Sequence, residues 1–208
     1  MSIATYADLK TSVADFLNRD DLTSVVPTFI RLAESRIDRE LRHWRMEGRS
    51  TAELDTQYSA IPADFLQPIR LQITDAPTSE VSPISTAQML QLRSERNDRV
   101  GRPTNYALTA GGLELYPTPD VTYAASLVYY ARVPALSDSN TSNWLLAEAP
   151  DVYLYGALVH AAPYLKDDAR MAIWEAMFST GIDILGKSSA DAKYGGSGLV
   201  MRTKRGAP

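Results

Sequence analysis

Cysteine is absent from this 208-residue chain. That excludes disulfides, thiolate nucleophiles and every zinc site built on thiolates. Histidine is nearly absent, with only His43 and His160. An imidazole metal site would need carboxylates or a second chain to complete it. Long apolar runs are missing: none approaches the roughly 20 residues that span a bilayer, so no membrane partner is expected. Met1 to Asn18 has no apolar signal-peptide core and carries Asp8 and Asp15. Nor is there an excess of positive charge. The formal net charge is −4 and the pI about 5.2, which disfavours binding nucleic acid chiefly through its phosphates.

Catalytic patterns are equally scarce. Gly195-Gly196-Ser197-Gly198-Leu199 fails as a nucleophile elbow, because Leu199 stands where the last glycine belongs. No phosphate-cradling loop ending in Lys-Ser/Thr occurs, and no His-Glu-x-x-His. Carboxylates pair at Asp20-Asp21 and Asp167-Asp168. General acid–base chemistry is one use of such pairs, and helix capping is the other, favoured by where they fall. His160, beside Leu158 and Ala161, and His43, beside Trp44, read as packing histidines. The sequence therefore assigns no catalytic, cofactor or metal-binding residue, and the chain reads as a non-enzyme.

What is present is an ordinary globular balance of 45% apolar and 22% charged residues. Thr5, with Asp8 three residues on, predicts a capping box before the stripe Tyr6, Leu9, Val13, Phe16, Leu17. A longer helix is expected from about Ser24 to about Arg45, with Pro27 in its first turn. Its apolar stripe is Val26, Ile30, Ala33, Ile37, Leu41 and Trp44. From Gly48 to about Pro134 the period becomes strand-like. Strands are expected at Arg49–Leu54, Arg70–Thr74 and Tyr123–Arg132, a short helix at Ser85–Arg96, and a hairpin turning at Gly111-Gly112. Helical spacing returns near Trp144. Pro150-Asp151 starts one helix, which Pro163 kinks or ends, and Asp167 or Asp168 caps the last. The expected core stripe of that last helix is Trp174, Met177, Phe178, Ile182 and Leu185.

The fold class is therefore α+β: mainly a helical bundle, with an inserted β-rich lobe and an extended C-terminal arm. The expected divisions are 1–48 with 140–187 for the bundle, 49–139 for the lobe, and 188–208 for a flexible arm.

Two features invite contact with other molecules. The second helix carries Arg31, Arg36, Arg39, Arg42 and Arg45 and no lysine, interleaved with Glu34 and Asp38. Three readings stand: a solvated face, a subunit interface built on bidentate arginine pairs, and a DNA contact that the interleaved acids weaken. The tail joins a Gly-rich hinge to Leu199, Val200 and Met201 and then to Arg202, Lys204 and Arg205. It reads either as a disordered end or as a docking arm.

Several segments, in order, resemble the head–tail adaptor (connector) proteins of short-tailed bacteriophages. They are Ile30 to Ile37 with Glu40-Leu41-Arg42, Pro62 to Leu66, Gly111 to Pro117, Tyr129 to Ser137, Asn143 to Leu146, and Pro150-Asp151 with Tyr153 to Leu158. The resemblance implies a structural virion protein at the head–tail junction, present in the host cytoplasm during assembly. It implies a homo-oligomeric ring, of about twelve copies, beneath the portal protein. Such a ring continues the DNA channel, with genomic DNA as passing cargo. It also offers a tail tube or nozzle protein, and tail fibres, a place to attach. On this reading Arg31, Glu34, Arg36, Asp38, Arg39, Arg42 and Arg45 make subunit contacts, and Leu199 to Arg205 dock on the portal. Two rivals remain: a tail-attachment or fibre-binding module that ignores the portal, and, more remotely, a hydrolase using the Asp pairs.

Overall fold

The computed structural model describes residues 3–19, 21–96, 99–165 and 170–195. It is an α+β protein in which the described residues form six helices and a curled, mixed seven-stranded sheet. Two compact units divide the chain, Met1–Arg45 with Val133–Pro208, and Met46–Arg132.

The first unit is built from helices α1 (Tyr6–Leu17), α2 (Val26–Glu40), α4 (Trp144–Glu148), α5 (Pro150–Leu165) and α6 (Met171–Tyr194). The capping box forms: Thr5 Oγ1 accepts from the Asp8 N–H, and the Thr5 N–H donates to the Asp8 carboxylate. In α5, Val152, Tyr153, Leu154, Gly156, Ala157, Leu158, Val159, Ala161 and Ala162 are all buried. A helix apolar around most of its circumference is a core helix, and α1, α2 and α6 pack against it. Gly156 sets the spacing: a Cβ there would lie 3.0 Å from Ala33 Cβ and 3.1 Å from the Phe178 ring. Pro163 does not end α5, which continues to Leu165. A proline in the last turn removes one hydrogen bond and leaves the preceding turns intact.

Four helical expectations are corrected. Helix α2 stops at Glu40 rather than near Arg45, because Leu41 turns to extended backbone (φ −85°, ψ 133°). From there burial alternates, with Leu41 and His43 inside. Helix α6 runs through Tyr194, so residues 188–194 are helical rather than part of a flexible arm. Buried Ser189 holds them down, its Oγ accepting from the Trp44 N–H at 2.9 Å. The N-cap position of α6 is Arg170; Asp167 and Asp168 lie outside the described residues. Finally, Phe16 and Met177, expected in the core, are about half exposed, and Ser12 and Gly181 take the inward positions.

The second unit holds β1 (Glu47–Leu54), β2 (Tyr58–Ser59), β3 (Phe65–Ile73), β4 (Ser79–Pro83), α3 (Thr86–Arg96), β5 (Asn105–Thr109), β6 (Gly112–Tyr116) and β7 (Tyr123–Ala131). The order is β1-β7-β3-β4-β5-β6-β2, antiparallel except for β4 with β5. Leu54 near one edge and Leu113 and Leu115 near the other share one cluster with Leu71, Leu127 and Tyr129. The sheet therefore curls until its concave face buries itself. The far side of β5 and β6 packs Ala107 and Tyr116 against Met89 of α3. Of the glycine pair at the hairpin only Gly112 has positive φ (+144°). The demand there is also close approach, since a Cβ would sit 2.2 Å from the Ser59 carbonyl oxygen.

Candidate interaction surface

The acids and arginines of α2 separate into two sets. One set is consumed inside the chain. Glu34 Oε1 accepts from the Leu136 N–H at 2.7 Å, and Asp38 Oδ1 from the Val133 N–H at 3.3 Å. These carboxylates strap the returning segment 133–139 onto α2, and Lys10 adds an ion pair to Asp138 at 2.9 Å. The strapped segment belongs to the helical unit, which takes in Val133–Pro208. Burial pushes the Glu34 carboxyl above its ordinary range, against the Leu136 N–H and the Arg31 charge, which both favour the ionised form.

Arg36 is the most committed arginine. Its guanidinium lies 4.4 Å above the Phe178 ring and grips Glu175 of α6 with two hydrogen bonds and Glu40 with a third. The pairing raises its pKa further and holds the Glu175 carboxyl below the usual range. Arg42 donates to the carbonyls of Asp38 and Leu41, at 2.8 and 2.6 Å. It thus caps acceptors that the end of α2 leaves open. Arg45 pairs with Glu148 at 3.3 Å and lies over the Trp44 ring.

The other set is small. Arg31 and Arg39 are exposed and form no hydrogen bond or ion pair among the described residues. They flank Leu32, itself 45% exposed. Of the seven residues that the sequence offered for a subunit interface, these two arginines carry guanidinium groups with no intrachain bond among the described residues.

The histidines pack, but differently. His43 is buried and stacked on Trp144, with ring centroids 5.0 Å apart. Its Nδ1 accepts from the Arg45 N–H at 3.2 Å, which places the proton on Nε2, 3.5 Å from Ser188 Oγ. Burial pushes its pKa down. His160 Nε2 is buried and has no hydrogen-bond partner among the described residues. Burial, then the charges of Arg36 and Arg39, push its pKa down. Of the Asp pairs, Asp21 is exposed and taken up in a two-point ion pair with Arg19, both contacts at 2.6 Å; Asp20, Asp167 and Asp168 lie outside the described residues. Among the described residues no group of three or more His, Asp or Glu could hold a metal ion, and no helix is long and apolar enough to cross a membrane. Leu199, Val200, Met201, Arg202, Lys204 and Arg205 also lie outside the described residues.

The polar groups of the helical unit thus tie elements together. The family model of the SU10 adaptor protein matches residues 4–202. The chain belongs to the SU10 adaptor protein family. This agrees with its resemblance to phage head–tail adaptors. A comparison with curated proteins gives no match. As an SU10 adaptor protein the chain is a structural component of a phage particle that contacts head and tail components. The helical capping, straps and ion pairs of α2 serve the fold of this adaptor first. Sequence reasoning missed that division because intrahelical spacing shows which residues share a face, and not which distant segment returns to bond them. The proline at 134 and the cap at Asn143 were the available signal: Asn143 Nδ2 donates to the Pro134 carbonyl and the Tyr153 hydroxyl, while its Oδ1 caps α4.

Proposed function

We propose that the protein forms a ring beneath the portal of the DNA-filled head, extends the DNA channel and carries the tail. The match to the adaptor family across residues 4–202 carries this reading. The chemistry is compatible with it. A net charge of −4 per copy, repeated around a ring, repels a passing phosphate backbone instead of holding it. On this reading Arg31 and Arg39 lie at the subunit contact, because they alone of the α2 arginines keep guanidinium groups free of intrachain bonds among the described residues. Residues Leu199 to Arg205 dock on the portal, joining apolar anchors to a basic end.

Light scattering after size exclusion tests the proposal. The expected result is a small species alone and, with the cognate portal ring, one large complex holding about one copy per portal subunit. A protein that stays apart from the portal overturns the reading and directs the search to tail proteins.

A further inference from the structure

Helix α6 presents an apolar face that the described residues of its own unit leave exposed. Ile173, Met177 and Ile184 recur at spacings of four and seven and are 59%, 49% and 59% exposed. At 100° per residue they fall within a narrow arc. Glu175, which grips Arg36 of α2, lies about half a turn away around the helix. The stripe therefore looks away from α2. Three acids stand beside or near it. Asp183 and Asp191 form no ion pair among the described residues, and an Asp151 oxygen lies 3.5 Å from where a Gly181 Cβ would be. Lys187 lies between Asp183 and Asp191 along the helix. The outer face of α2 is the converse: exposed Leu32 with Arg39 about two turns on along the same side and Arg31 next to it, both cations without an ion pair among the described residues.

We infer that the α6 stripe of one copy packs on the outer face of α2 of the next copy, so that the two faces form one heterologous contact repeated around the ring. This rests on the ring reading above. Charge decides between contact types. A two-fold axis through either face would set that face against itself, acid against acid or arginine against arginine. A head-to-tail contact sets Asp183 and Asp191 against Arg31 and Arg39, with Leu32 against the Ile173–Met177–Ile184 stripe. Two different faces per copy are also what a closed ring needs, because each subunit must offer a donor and an acceptor surface.

The absence of cysteine helps the test, since introduced thiols are the only thiols of this chain. Chains carrying Leu32→Cys, Ile184→Cys or both are assembled on the portal ring and oxidised. The expected result is a ladder of cross-linked multimers from the double variant and none from either single variant. Dimers from a single variant would overturn the proposal in favour of a symmetric contact. A complex of ring mass without a ladder overturns this pair of faces and leaves the ring reading standing. Failure of the unsubstituted protein to assemble overturns both. A charge exchange gives a second readout that needs no thiol. Arg39→Glu should weaken assembly by about tenfold, and adding Asp183→Lys should restore it. Equal weakening in the single and double variants would also overturn the pairing.

Discussion

At the scale of single residues, α2 shows how one helix can spend its charges inward and keep a few for outside. Arg36 bonds Glu175 through two donors over the Phe178 ring, with its side chain only 18% exposed. Arg36→Ala strands the Glu175 carboxylate and removes the packed guanidinium, so it should destabilise by about 1–3 kcal/mol in thermal or urea unfolding. Arg31→Ala, with no intrachain bond to lose, should stay within about 0.5 kcal/mol of the parent; a cost equal to that of Arg36 would refute the division of roles. The pKa shifts make a pH prediction with opposite signs at two sites. The unfolded state binds a proton on histidine near pH 6.5, whereas folded His43 binds one only at lower pH. In that window the unfolded chain holds more protons, and stability falls as pH drops below about 6.5. His160 shares the sign. Glu175 adds its own loss further down, as pH falls through and below the ordinary carboxylate range. Glu34 opposes this, since its raised pKa means that protonation favours the folded state. His43→Gln should therefore flatten the unfolding midpoint between about pH 6.5 and 5, and Glu34→Gln should cost little at neutral pH. An unchanged pH slope in His43→Gln would show that the buried imidazole is not what the acid titrates.

At the scale of elements, helix spacing is the theme. Gly156 lets α5 approach Ala33 of α2 and Phe178 of α6. Gly156→Ala would gain about 1 kcal/mol of helix propensity and lose about 1–3 kcal/mol to overpacking, for a net loss visible as a lower melting temperature; a gain would mean that the helices can part freely. Where α6 ends makes a second prediction. Truncation after Lys187 removes the Ser189 hydroxyl that bonds the Trp44 N–H and the Ser188 hydroxyl beside His43. It should cost about 1–3 kcal/mol, whereas truncation after Gly195 should leave the melting temperature unchanged. Local signals made much of this legible in advance. Thr5 with Asp8, Pro27 in the first turn of α2, Pro150 at the start of α5 and the turn before Gly112 each carry their structure in a few adjacent residues. What stayed hidden depended on partners far along the chain. The stripe through Leu41 and Trp44 continues the helical period, yet Leu41 is extended because Arg42 closes the helix and His43 finds Trp144 a hundred residues later. The strand Ser79–Pro83 escaped notice because only its Val81 is buried and its place depends on β3 and β5. Likewise the candidate surface was recognised as arginine-rich, but the strap from Val133 to Leu136 decides which residues remain to face outward.

At the scale of the whole molecule, charge is segregated along the chain. Residues 196–208 contain Arg202, Lys204 and Arg205 and no acid, so residues 1–195 hold a net charge of −7. An acidic body suits a surface past which DNA moves, and a short basic, apolar-anchored end suits attachment to a different protein. The two roles separate experimentally because Gly195 closes the last described helix turn, donating its N–H to the Asp191 carbonyl. The chain truncated after Gly195 should fold with unchanged stability. It should bind the portal ring about 10- to 100-fold more weakly, since a tethered second contact acts at high effective concentration once the body has docked. The difference between full-length and truncated chains should shrink as salt rises from about 0.05 to 0.5 M, because the cationic part of the contact is screened. A truncated chain that binds as tightly as the full one at low salt would remove the terminus from the docking surface. The body, with its free α2 arginines and bare α6 stripe, would then have to account for attachment by itself.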